Sequence, residues 1–169
     1  MLDLIDKYKR WILAIVGTGS IGLIVFSVVV LEWMLYLAPC PLCMMQRVGF
    51  FVAGLFFILE AVFFKSQVRF LKGFLKTGRY LGIFFGIAMA ARHLYIQSLP
   101  ADKIPKCGFD FYGLINHEGF WGGIAKAMQG TGDCATVDKF LWWSIPTWSM
   151  IAFVSMLLIA VILGDRKIR

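Results

Sequence analysis

Residues 11–31 read WILAIVGTGSIGLIVFSVVVL, 21 positions without a charged side chain. About 20 apolar residues in helical form match the ~30 Å hydrocarbon core of a bilayer. Inside that core a helix satisfies its own backbone polar groups, which open strands and loops cannot do. Three more apolar stretches follow, at about 44–64, 78–96 and 140–163. The chain is 60% hydrophobic and 16% charged, against about 45–50% and about 25% in soluble domains. These features predict an all-α membrane protein, a single integral domain over residues 1–169 with four spans. Lys7, Lys9 and Arg10 before the first run imitate a secretory signal, but the run exceeds a signal's apolar core. It reads as an uncleaved first helix.

Four spans put both termini on one side of the membrane. That side then carries eleven Lys and Arg, from the N-terminus, the 65–79 segment and the tail. The opposite loops, about 32–43 and 97–139, carry four: Lys103, Lys106, Lys126 and Lys139. The positive-inside rule makes the termini cytoplasmic, so all four cysteines face the other compartment. The net charge of +7 could suggest nucleic-acid binding, but the basic residues flank apolar spans, and no nucleic-acid partner is expected.

The segment PCPLCMMQR, residues 39–47, places Cys40 and Cys43 in a CxxC pair at a membrane edge. Such a pair signals redox or metal chemistry. With a helix starting near Pro41, Cys43 falls in its first turn and Arg47 stands four residues on, over the same face. The helix N-terminus and the cation are both expected to stabilise a thiolate at Cys43. An arginine here can simply snorkel to the interface. Lys and Arg are otherwise absent from this side until Arg92, which favours a role in holding the thiolate or a polar acceptor. Glu60 reads as an interface residue at the cytoplasmic end, and His93 fits equally well as a satisfied interfacial histidine.

An oxidising exterior lets disulfides persist. Two cysteines per outer loop suggest Cys40–Cys43 and Cys107–Cys134, with three connectivities open. Structural staples suit the long Cys107–Cys134 loop better than the small CxxC ring; the corresponding alternative function is a non-enzymatic four-span scaffold. Zinc needs four soft ligands, but a second CxxC is lacking, and no metal is expected. GTGSIG, residues 17–22, matches a dinucleotide-binding pattern only literally, since it lies inside a span. Gly78, Gly82, Gly86 and Ala90 form a small-residue seam on the third span. Residues 120–128 fit a short amphipathic surface helix, with Phe120, Trp121, Ile124 and Met128 on one side. Trp142, Trp143 and Trp148 form an interfacial belt, with Pro146 in a first helical turn. With no flavin, nicotinamide, haem or iron–sulfur motif in view, electrons from the thiols need a lipid-soluble acceptor, and a quinone fits.

The sequence resembles the bacterial disulfide bond formation protein B family, the DsbB membrane oxidoreductases. The resemblance rests on PCPLCMMQR, the basic 65–79 loop, ARHLYIQSLP before Cys107, and GTGDCATVDKFLWWSIPTW into the last span. It implies a four-transmembrane-helix bundle in the bacterial inner membrane, with two periplasmic loops. It also implies an enzyme that reoxidises a DsbA-like periplasmic thioredoxin-fold oxidase and passes electrons to ubiquinone or menaquinone. By position, Cys107 would form the mixed disulfide with the partner and Cys134 would attack Cys40. Cys43 would remain as the thiolate facing the quinone, supported by Arg47, with His93 as the quinone-proximal histidine. Gln46 stands where some members carry an acid, and the 120–128 piece corresponds to the family's membrane-surface helix.

Overall fold

The computed structural model describes residues 2–36, 40–104, 111–137 and 139–165. Five helices account for most of them. Helix α1 (Leu2–Phe26) continues without a break into a π-helical stretch, Ser27–Met34. Glu32, expected at the start of a loop, therefore sits on a helix: no Gly or Pro interrupts residues 23–36, so apolar helix formers carry the helix on. Helix α2 (Pro41–Val62) begins at a proline in its first turn, capped by Cys40. Helix α3 (Arg69–Gln97) starts well before residue 78. The basic 65–79 segment is thus mostly helical rather than a loop, because Leu, Lys and Phe support a helix and only Gly73 and Gly78 weaken it.

Helix α4 (Phe111–Gln129) is broken at Gly119, whose φ of 73° only glycine adopts readily. Its two halves fold against each other, with Gly123 against the Ile115 backbone. The expected amphipathic face divides. Phe120 and Trp121 are exposed, whereas Ile124 and Met128 pack inward. Two short strands, β1 (Lys139–Phe140) and β2 (Trp143–Ser144), pair antiparallel as a tight hairpin ahead of α5 (Ile145–Asp165). Pro146 falls in the first turn of α5, and the three belt tryptophans are exposed.

Among the described residues, three helical stretches are long and apolar enough to cross a membrane: Tyr8–Met34, Pro41–Val62 and Ile145–Leu163. The chain is an all-α membrane protein. Helix α3 has 29 residues, but charges at Arg79 and Arg92 leave only residues 80–91 uncharged between them. Arg79 is nonetheless almost fully buried and ion-paired with Glu60 of α2. Its guanidinium lies 5.0 Å from the Phe57 and Tyr80 ring centroids. Glu60 is therefore an inter-helix partner rather than a simple interface residue, a pairing that sequence distance concealed.

Small residues let α2 and α3 meet. Gly82 packs on the Ala53 backbone and Gly86 on Gly49, leaving room for Phe153 of α5 to stack on Phe50, ring centroids 4.0 Å apart. The core divides in two. One cluster, including Leu13, Phe57, Ile83 and Phe153, joins α1, α2, α3 and α5. The other, including Leu42, Met45, Met89, Ile96 and Leu114, lies at the cysteine end and takes in Cys134.

Candidate redox site

The local fold of PCPLCMMQR follows from its residue types. Cys40 is extended, Pro41 opens the helix, and the Cys43 backbone N–H donates to Cys40 Sγ at 3.3 Å. A sulfur thereby takes the N-cap position usually held by an oxygen. The two sulfurs stand 2.9 Å apart as free cysteines. His93, from the far end of α3, is buried between them: Nε2 lies 3.8 Å from Cys40 Sγ and Nδ1 4.0 Å from Cys43 Sγ. Gln46 Nε2 donates to Nδ1 at 3.1 Å, which assigns the neutral ring's proton to Nε2, facing Cys40.

The short helix Gly132–Ala135 brings Cys134 to the same place. Gly130 turns the chain with φ of 78°, and a side chain there would collide with Leu42 and Ile96. Gln97 then ties the loop to α3 by donating to the Thr136 carbonyl at 3.0 Å, and Arg92 Nε donates to the Gln129 carbonyl at 2.8 Å. The Cys134 thiol is fully buried in the cluster against which Cys40 packs. Its interaction with the Cys40 sulfur, reinforced by burial, holds the Cys134 thiol far above its ordinary pKa, so it is protonated at neutral pH.

Arg47 lies on the same helix, but its guanidinium pairs with Glu32 and donates to Met44 Sδ at 3.4 Å rather than to Cys43. Cys40, Cys43, His93 and Arg47 all line one cleft of about 880 Å³. Leu23 of α1, Leu31 of the π-helical stretch, and Ile145 and Ala152 of α5 help to wall it. Helices α1 and α5 also meet where Ser20 lies 3.6 Å from Met156. Cys107 lies outside the described residues, as does Pro39. The sequence alone gave neither Gln46 nor Glu32 a role in the site. Gln46's signal was its position three residues beyond Cys43, on the same helical face. Glu32's was that of an acid ending an otherwise uncharged run.

A helical membrane protein whose CxxC thiols and a buried histidine stand at the wall of an apolar cleft is, by class, a membrane thiol–disulfide oxidoreductase. A family model for disulfide bond formation protein DsbB matches residues 9–163. Disulfide bond formation protein B of Hahella chejuensis is 40% identical over 126 residues, 73% of this chain and 74% of the relative. The protein of that name from Saccharophagus degradans is 35% identical over 96% of each chain, and that from Marinobacter nauticus 34% over 94% of each. No solved structure matches. The chain belongs to the DsbB family of disulfide bond formation proteins.

Proposed function

We propose that the protein reoxidises a periplasmic thioredoxin-fold dithiol oxidase and passes the electrons to a membrane quinone, ubiquinone or menaquinone. The observation carrying this reading is the shared cleft: a CxxC pair and a buried histidine open onto an apolar cavity between helices long enough to span a bilayer. Ligand pockets for small molecules are of this size and character, mostly apolar with a few polar groups to fix orientation. The residues fit a quinone. Arg47 and His93 supply polar contacts, and the α1 and α5 side chains an apolar slot. A bound quinone accepts two electrons and two protons.

The rest is done by the chain. A partner thiolate attacks the Cys107–Cys134 disulfide at Cys107, forming a mixed disulfide and releasing Cys134. Cys134 attacks Cys40 of the Cys40–Cys43 disulfide, and Cys43 leaves as a thiolate with the electron pair. The second partner thiol then attacks its own sulfur in the mixed disulfide, leaving the partner oxidised and Cys107 reduced. Cys107 attacks Cys134, which restores the loop disulfide and leaves Cys40 and Cys43 as the reduced pair. Re-forming the Cys40–Cys43 disulfide releases two electrons and two protons, which a quinone held near Arg47 and His93 would take up. The packing of Cys40 against the buried cluster that holds Cys134 supports the second exchange, since thiol–disulfide exchange needs direct sulfur attack. His93 Nε2 is within reach of Cys40 as a proton carrier.

The topology belongs to the same proposal. The protein crosses the inner membrane four times, with cytoplasmic termini and periplasmic cysteine loops. The charge asymmetry supports this, and the Glu60–Arg79 pair lets α3 cross with its charge neutralised. The test is quinone reduction by the purified protein with a reduced thioredoxin-fold donor. Turnover is expected with the native chain and loss of turnover with Cys43→Ser. Absence of turnover, with Cys40 and Cys43 remaining oxidised beside the reduced donor, would establish the scaffold reading instead.

A further inference from the structure

The relay needs sulfur atoms that exchange electrons, yet the same cluster, once reduced, has a second chemistry. Cys40, Cys43 and His93 each offer one donor atom, and these atoms lie within 4.8 Å of one another. Cys134 brings a third sulfur to the same end: it is fully buried in the cluster against which Cys40 packs, just outside that group of three donors. We propose that the fully reduced protein binds one zinc ion in a Cys₃His site made of Cys40, Cys43, Cys134 and His93.

The geometry is close to what zinc requires. Tetrahedral zinc, with Zn–S of about 2.3 Å and Zn–N of about 2.0 Å, sets donor–donor edges of roughly 3.5–3.8 Å. The separation from Cys40 Sγ to His93 Nε2 is 3.8 Å, and Cys43 Sγ lies 4.0 Å from the ring's other nitrogen. The two CxxC sulfurs, at 2.9 Å, must part by roughly 0.9 Å, and the Cys134 sulfur must swing in toward them, movements made by rotation about χ1. Nε2 is the ring nitrogen free to bind, because Nδ1 is engaged by Gln46. When Nε2 gives its place to zinc, the proton resides on Nδ1, and Gln46 turns its amide so that Oε1 accepts it. Gln46 then acts as the outer partner that metal-ligating histidines characteristically have. Access is through the cleft, which Cys40, Cys43 and His93 all line.

Binding is a proton exchange: each thiol loses its proton to become a ligand, and no electrons move. The oxidised Cys40–Cys43 pair offers no thiolates, so the site exists only in the reduced chain. While zinc is bound, Cys40 and Cys43 cannot close to a disulfide, and reoxidation stops. Zinc is therefore a brake on the state that accumulates when the electron acceptor is scarce.

The test uses the full-length protein in detergent, fully reduced and free of added thiol, with zinc titrated against a chromophoric chelator under anaerobic conditions. One zinc per chain is expected, and none in the disulfide form. Cobalt substitution should give the intense tetrahedral thiolate spectrum. His93→Ala and Cys134→Ser should each weaken binding at least tenfold. Gln46→Leu should weaken it roughly 10–100-fold, whereas Gln46→Glu should bind at least as tightly as the native chain, a contrast that a general folding defect would not produce. An octahedral cobalt spectrum, equal binding by reduced and oxidised protein, or unchanged affinity in His93→Ala would overturn the proposal. Binding is read at equilibrium without turnover, so a failure of quinone reduction leaves the result intact.

Discussion

Arg47, which lines the cleft, forms an ion pair with Glu32, each about one-fifth exposed or less. A guanidinium in that position is either held ready for a ligand or occupied by the carboxylate, and the pairing makes Glu32 a competitor for the donor atoms a quinone would use. Charged hydrogen bonds contribute about 1.5–3 kcal/mol. Glu32→Gln should therefore lower the quinone KM roughly tenfold, and Arg47→Ala should raise it at least as much while leaving the KM for the thiol donor nearly unchanged. Steady-state kinetics with both substrates varied would check this, and an unchanged quinone KM in Arg47→Ala would remove it from the binding site. Cys134 supplies the pH prediction. Its raised pKa means the thiolate is scarce below and around the ordinary thiol value of about 8.5. In the reduced protein, its alkylation at neutral pH should be slower than that of a free thiol and should still be climbing above about pH 9. A plateau near the ordinary value would contradict its burial in the cluster beside Cys40.

Between elements, the packing of α2 on α3 is what holds the thiols against the histidine. Cys40 and Cys43 belong to the start of α2 and His93 to the end of α3, so the site exists only if the two helices keep their register. Gly49, Gly82 and Gly86 allow the backbones to touch, and Glu60–Arg79 fixes the opposite end. Removing one partner of a buried ion pair costs about 3–5 kcal/mol because the other charge is left uncompensated. Arg79→Leu should accordingly lower thermal stability in detergent sharply, while Glu60→Leu/Arg79→Leu together should recover much of the loss. Equal destabilisation in single and double variants would mean that the pair is not the link. Loss of register should also reduce quinone turnover without touching any site residue, since His93 would shift relative to the sulfurs.

At the scale of the whole molecule, the cysteine cluster lies at one end of the bundle and the Glu60–Arg79 pair toward the other. The cleft at the cysteine end is lined by side chains of both α1 and α5. The four-crossing arrangement predicts opposite accessibility for the two ends. In a cysteine-free background, Val137→Cys should react with an impermeant maleimide from outside intact spheroplasts. Gln67→Cys should react only after lysis. Labelling of both from the same side would rule out four crossings.

Much of this protein was legible in its residues. Uncharged runs and a low charge content dictated a helical membrane protein because hydrocarbon tolerates little else. CxxC after a proline announced a helix start with a thiol in its first turn, since Pro41 suits that position and no other in a helix. The family resemblance added the relay. Other features depended on contacts between residues far apart in sequence. Arg79 looked like part of a solvent-facing basic loop until its pairing with Glu60, 19 residues away, buried it. Arg47 pointed by spacing to Cys43, yet an acid on another helix claims it. His93 could not be distinguished from an ordinary interfacial histidine because nothing in its neighbourhood along the chain names its partners. Helix packing, made close by small residues, set it between two sulfurs from the other end of a different helix. Periodicity and composition read each segment against its solvent; only the tertiary structure decides which charge or donor atom faces which.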